Sequence, residues 1–230
     1  MCVAGLRERK KERTRREISD VATKLFIEHG FEEVTLAQIA DAAEVSVKTI
    51  FNHFGSKEDL YFDRAGEVRA ALTSTIVDRP PGTTAVQAVH GLMRDNVVPF
   101  PGRGWGGLDD PLFRGFILAQ ERSPALRARR LTLGLELHEH LRGVLADDLG
   151  RDRDDPALVV LVAMLGTANQ LRDQTLRQCM ALDLSPRATR RRVVAVVDEA
   201  FGRIATAFAD LDRQRRAVPE KRSAPSSSRP

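Results

Sequence analysis

Apolar side chains recur at spacings of three and four along almost the whole chain and never alternate convincingly with polar ones, so the pattern predicts an all-α fold. Ile18, Val21, Ala22, Leu25 and Phe26 mark the inner face of a first helix, with Thr14 and Glu17 placed as a capping box and Gly30 as the stop. Thr35 with Gln38 opens a short second helix carrying Leu36, Ile39, Ala40 and Ala43. After a turn at Glu44-Val45, Ser46 caps a third helix that faces inward through Ile50 and Phe54. Ser56 with Asp59 starts a longer fourth helix through Leu60, Ala65, Val68, Leu72 and Ile76, ending before Pro80-Pro81. Beyond the prolines come helices over 84–98, 110–120, 124–149, 156–182 and 185–216, with one long irregular connection at 99–108. The expected organisation is a basic arm (1–13), a first helical domain with its connecting helix (14–78), a larger helical domain (82–216) and a disordered tail rich in Pro and Ser (217–230).

Composition narrows the function classes. The 230 residues are 42% hydrophobic and 30% charged, enough apolar material for one or two cored domains. The longest apolar run, 157–166, is about half of the roughly 20 residues a bilayer-spanning helix needs, and no apolar segment follows the basic N-terminus. A cytoplasmic protein with no membrane partner is expected. Cys2 and Cys179 fit neither a disulfide framework nor a metal-ligand spacing, and His138-Glu139-His140 projects onto different faces, so no metal and no cofactor is expected. Phosphate-binding loops, nucleophile elbows, His-Glu-x-x-His and Glu-x-x-His pairs are all missing from the sequence, so catalysis is not expected. Net charge is only +4, yet residues 7–16 (RERKKERTRR) hold seven positive charges against two Glu. A run of this kind is a solvated tail unless a nucleic-acid module follows it.

Such a module follows. Residues 35–54 form two short helices joined by a turn, the helix-turn-helix arrangement, and inward Ile50 and Phe54 leave Val47, Lys48, Phe51 and Asn52 outside, where a helix can enter a major groove. Lys48, Lys57 and the Arg-rich run lie where phosphates would pass. On spacing alone, a three-helix bundle of no particular purpose remains open. Residues 14–62 also carry Ala22, Leu25, Phe26, Gly30-Phe31, Thr35, Ile39-Ala40, Ala43, Val45-Ser46, Ile50-Phe51, His53-Phe54, Ser56-Lys57 and Leu60 in order. In this the chain resembles the DNA-binding domain of the tetracycline-repressor (TetR) family of bacterial transcriptional regulators. The resemblance implies a homodimer on a pseudo-palindromic duplex, a helical effector-binding and dimerisation domain, and repression relieved by a small molecule. It gives Thr35 and His53 phosphate contacts and Lys57 a charged contact. Val47, Lys48, Thr49, Phe51 and Asn52 then face bases or groove walls. Two positions depart from the family pattern. Phe51 stands where Tyr is frequent, and Glu44 replaces a common turn Gly at a cost of roughly 1 kcal/mol for a positive φ.

In residues 82–216 the faces of the helices carry the information. Val193, Val197, Ala200, Phe201, Ile204 and Phe208 repeat at spacings of three and four, and 157–165 is apolar all round. Intramolecular core explains either fact alone; together with the family resemblance they favour a dimer seam on the last helices. Polar His90 and Asn96 fall in the arc of Val86, Val89, Met93 and Val97; His138 falls among Leu131, Leu135, Leu137, Leu141 and Leu145; Asn169 falls among Leu158, Val162, Leu165 and Leu176. Hydrogen bonds within the core are one reading. The other is a cavity lined by His90, Met93, Asn96, Phe116, His138 and Asn169 beside the Trp105 loop, for a mainly apolar effector with one or two hydrogen-bonding groups. An architectural DNA binder without effector is the competing functional class.

Overall fold

The computed structural model describes residues 3–97 and 107–209, which are all-helical, with no strand among them. The elements are α1 (Val3–His29), α2 (Leu36–Ala42), α3 (Val47–His53), α4 (Lys57–Tyr61), α5 (Ala65–Val77), α6 (Ala85–Asp95), α7 (Pro111–Arg122), α8 (Pro124–Leu149), α9 (Pro156–Ala181) and α10 (Pro186–Ala207). Trp105 and the 217–230 tail lie outside the described residues.

Side-chain caps fix most helix starts. The Thr35 hydroxyl accepts the Gln38 N–H while the Gln38 side chain accepts the Thr35 N–H, a complete capping box on α2. Ser46 and Ser56 each accept an N–H three residues on, at 3.0 Å. Asp110, Ser123, Asp155 and Ser185 each cap a helix that begins with proline, whose fixed φ suits that first position. Glu44 does take a positive φ of 53°. Val45 N–H reaches the Ala40 carbonyl at 2.9 Å and Glu44 N–H the Asp41 carbonyl at 3.1 Å, while Val45 packs on the core. This Schellman closure of α2 offsets the strain that a non-glycine residue carries there.

Four helix boundaries differ from the sequence reading, one of them the end of α10, which stops at Ala207 where a helix over 185–216 is expected. α1 begins at Val3, so the arm expected at 1–13 is helical from there and Thr14 lies inside the helix. The run is made of good helix formers, and Glu12–Arg16 (3.0 Å) and Arg13–Glu17 (3.4 Å) pair one turn apart. The long fourth helix is broken at 62–64 into α4 and α5. Tyr61 and Phe62 are both buried, and the Asp63 carbonyl accepts Arg15 Nη2 at 2.9 Å while its carboxylate accepts the Ser19 hydroxyl at 2.6 Å, so this segment serves α1 instead of a helical ladder. α6 stops at Asp95, where Asn96 Nδ2 donates to the Leu92 carbonyl at 2.9 Å.

Behind α1–α4, helix α5 packs on α6 and α8, and α9 lies between α8 and α10. The end of α5 is tied to the end of α8 by Arg79, 4% exposed, whose guanidinium donates to both Asp148 oxygens at 2.8 and 2.7 Å and to the Thr83 carbonyl at 3.0 Å. A buried pair this fully bonded holds two elements in one register.

The stripe expected at the dimer seam is instead core. Val193, Val197, Phe201 and Ile204 are buried within the single chain, and Ala200 and Phe208 are partly buried against the same core, because α6 and α9 both pack on α10. The amphipathic pattern was right about a covered face, and the cover is intramolecular. Conversely, 157–165 is not covered on both faces: Val159 and Val160 are exposed, as are Leu131 and Leu135 on α8 at 65% and 69%. The outer face of α9 continues through Ala163, Thr167, Gln170, Leu171, Gln174 and Gln178, all exposed and none ionisable.

Candidate DNA-reading face and effector cavity

Helix α3 is seven residues long, too short to stand alone, and is held by its Ser46 cap and by Ile50 and Phe54 in the core. That anchoring leaves Val47, Lys48, Phe51 and Asn52 exposed on one side, Phe51 at 56% although it is a large apolar side chain. Thr49 is half-buried and its hydroxyl bonds the Ser46 hydroxyl at 2.8 Å. Thr35 is exposed at the start of α2. At the far end of α3, Arg15 donates to the His53 carbonyl at 2.6 Å and its guanidinium lies 4.4 Å above the Phe54 ring, so α1 braces α3. Among the described residues, His53 Nδ1 is buried without a hydrogen-bond partner. Burial, then the nearby Lys11 and Arg15 charges, hold the His53 pKa below the ordinary imidazole value, against an opposing pull from Glu12. Lys57 is partly withdrawn: its ammonium lies 4.3 Å from the Phe31 ring centroid and donates to the Glu32 carbonyl at 3.4 Å. Burial lowers its pKa although Glu32, Glu58 and Glu33 all favour the charge.

In the bundle, Met93, His138 and Asn169 come together with Leu72, Leu141 and Leu165 around one mostly apolar cavity of about 50 Å³ between α5, α6, α8 and α9. The His138 ring lies directly on Gly166, where a Cβ would stand 2.0 Å away, and its Nδ1 meets the Gly134 carbonyl at 3.2 Å. With Nδ1 as donor, a neutral ring leaves Nε2 as an acceptor. The other expected lining residues stand elsewhere. His90 bonds Asp198 at 2.7 Å and stacks on Phe201 with ring centroids 5.0 Å apart, joining α6 to α10. Asn96 closes α6, and Phe116 stacks on Tyr61 with centroids 4.4 Å apart. All three side chains have partners within the fold, Phe116 buried and His90 and Asn96 half-buried.

Residues 18–63 match the sequence profile of bacterial regulatory proteins of the tetR family. The HTH-type transcriptional regulator TcmR of Streptomyces glaucescens is 34% identical over 161 residues, covering 69% of this chain and 71% of TcmR. The chain belongs to the TetR family of transcriptional regulators. The repressor AcnR of Corynebacterium efficiens is 33% identical over 82 residues, 36% of this chain and 42% of AcnR. Among solved structures, a SmeT–triclosan complex superposes with a TM-score of 0.54 at 18% identity, covering 90% of this chain and 99% of SmeT. FadR from Bacillus subtilis in complex with stearoyl-CoA gives 0.52 at 17%, covering 82% and 96%. These two likenesses concern the fold.

In this TetR-family regulator the contacts that join the DNA-reading helices to the bundle escaped sequence reasoning. Tyr61 donates its hydroxyl to the Phe116 carbonyl, Arg129 Nε reaches Asp59 at 2.7 Å, and Ser123 donates to Glu32. Hydrogen bonds to Glu136 and Asp59 raise the Arg129 pKa despite the burial that opposes them. Gly115 permits α7 to lie close on α1, since a Cβ there would stand 2.7 Å from Ile27. The partners are 55, 70 and 91 positions apart in the three polar links, and no local pattern carries such a pairing.

Proposed function

We propose that this TetR-family regulator is a homodimeric cytoplasmic repressor that binds a pseudo-palindromic duplex and is released by a mainly apolar small molecule. The observation that carries the DNA reading is the outward face of α3, where Val47, Lys48, Phe51 and Asn52 are exposed while the other side is anchored in the core. Lys48 and Asn52 bring hydrogen-bond donors to base edges, and Phe51 and Val47 bring apolar surface to thymine methyls or sugars. Thr35, His53 and Lys57 position the unit on phosphates, Lys57 after leaving its contact with Phe31, while Thr49 faces the groove wall. Two such helices on a twofold axis require half-sites about one helical turn apart.

The seam of the dimer is the uncharged outer face of α9, centred on Val160, Ala163, Thr167 and Leu171, in place of the buried stripe of α10. Apolar area without ionisable groups has no other evident use on an exposed helix. The effector enters between α5, α6, α8 and α9, with His138 and Asn169 as its polar contacts. Effector sites usually measure about 300–1,000 Å³, so the cavity must grow when it is filled. Triclosan in the SmeT complex and the acyl chain of the stearoyl-CoA in the FadR complex are apolar, which supports an effector with a large apolar part. The expanded cavity moves α5, and the resulting shift is bounded by the effector's differential affinity for the two states.

Selection of duplexes from a random-sequence pool on the full-length protein tests the reading. A pseudo-palindrome with half-sites one turn apart, protected symmetrically in a footprint, is expected. Enrichment of no sequence would overturn it in favour of an architectural DNA binder.

A further inference from the structure

We infer that the effector is an organic anion, an apolar body carrying one acidic group, and that Arg172 on α9 receives that group. The inference rests on the effector reading of the cavity above and names the chemical class of its ligand. It starts from the covered face of α9, where Leu158, Leu165, Ala168 and Leu176 are buried together with one guanidinium, that of Arg172, 7% exposed. Taking an ion out of water is offset only when its hydrogen-bonding groups are engaged. The buried arginines among the described residues are served unequally. Arg79 donates to both oxygens of Asp148 and to the Ile76 and Thr83 carbonyls, and Arg64 reaches both oxygens of Glu67. Arg172 has one acceptor among the described residues, Oδ1 of its neighbour Asp173, which lies 3.1 Å from Nε and 2.9 Å from Nη2. A guanidinium carries five N–H groups, so Nη1 is left for another acceptor.

These donors stand beside the cavity. Asn169 lines it, and at about 100° per residue the direction of Asn169 falls between those of Arg172 and Asp173. Helical side chains lean toward the amino terminus, so the Arg172–Asp173 pair lies over the turn that holds Asn169. The surrounding charge is one carboxylate short. Arg130 and Arg177 both bond Oε1 of Glu121, at 2.9 and 2.8 Å, while Arg172 bonds Asp173. Three guanidiniums therefore share two carboxylates. Burial, then the Arg130 charge, push the Arg177 pKa down against the pull of Asp173 and Glu121. Asp173 thus stands near a second cation and is free to serve it when an incoming acid takes its place on Arg172. A planar guanidinium receives a carboxylate or sulfonate through two parallel N–H groups, while Leu72, Val89, Leu141 and Leu165 offer the apolar wall for the rest of the molecule.

The test compares two fluorescent probes on the full-length protein: 8-anilinonaphthalene-1-sulfonate, and N-phenyl-1-naphthylamine, the same arylamine without the sulfonate. Only probe displaced by the operator duplex enriched from the random pool is counted, because effector and operator weaken each other's binding reciprocally. Arg172→Met is expected to lower the ratio of sulfonate affinity to neutral-probe affinity by about ten- to hundred-fold, the range of a charge-assisted hydrogen bond. The neutral probe should bind as in wild type, and the urea midpoint should hold, since an apolar residue of similar size replaces a buried ion without loss. Arg172→Lys keeps the charge and should keep most of the preference. An unchanged ratio in Arg172→Met, whether both probes are retained or both weaken in step, would overturn the inference. A wild type from which the operator displaces the neutral probe but no sulfonate sinks only the anionic class; one from which it displaces neither sinks the effector reading itself.

Discussion

The DNA-reading helices and the bundle behind them are held in place by different means. α2 and α3 are seven residues each and depend on side-chain caps at Thr35 and Ser46 and on single anchors such as Ile50. α8 and α9 are 26 residues each and depend on which of their faces finds a neighbour. Short capped helices leave little choice about what faces outward, so the reading face follows from the local sequence. Long helices with apolar residues on several sides leave that choice to the tertiary fold. A stripe of apolar positions specifies burial without specifying the partner.

Charge introduced at two apolar positions, one covered and one bare, should have the largest and most different effects. Phe201→Asp buries a carboxylate in a core site that is 1% exposed, and should cost about 5 kcal/mol or more, abolishing folding as judged by circular dichroism. Val160→Asp, on the exposed face of α9, should leave a folded protomer that sediments as a monomer and has lost operator affinity. A folded dimer in the second case would place the seam elsewhere.

Asp148→Ala should follow in size. It strands the buried Arg79 guanidinium, and a loss of about 3–5 kcal/mol in urea unfolding is expected. Glu199→Ala removes the exposed partner of Arg203 and should change stability by less than about 1 kcal/mol. Equal effects would mean that the α5–α8 clamp does not set the register of the bundle.

Gly166→Ala should cost about 1–3 kcal/mol because the added methyl group meets the His138 ring, even though alanine favours a helix. The same variant should release DNA less readily on effector addition, which a titration of operator complexes would read. Unimpaired release would remove His138 from the effector path. Smallest is Ser46→Ala, which should cost about 1 kcal/mol by uncapping α3, with the loss seen in thermal unfolding and in operator binding together.

The legible part of the candidate site was the part whose geometry is local. Ile50 and Phe54 lie four apart on a helix whose cap is visible, so the exposure of Lys48 and Asn52 follows within one turn. The cavity was legible by half. Met93, His138 and Asn169 lie where the apolar arcs placed them, whereas His90, Asn96 and Phe116 are taken by Asp198, the Leu92 carbonyl and Tyr61. A polar residue in an apolar arc announces that it needs a partner, and both a ligand and a neighbouring helix satisfy that need equally well. The Tyr61–Phe116 link was invisible because a hydroxyl meeting a backbone carbonyl 55 positions away leaves no periodic trace.

By itself the sequence determined the all-helical fold, the capped starts at Thr35, Ser46 and Ser56, and the outward face of α3, since these depend on contacts spanning at most four residues. The tertiary structure alone decided that the α10 stripe is core and the α9 face is bare. It also decided that α4 breaks so Asp63 can serve α1. The physical reason is that hydrophobic burial has no preferred partner. An apolar or charged face is fixed by the residues along one helix, but what covers it depends on how all the helices pack.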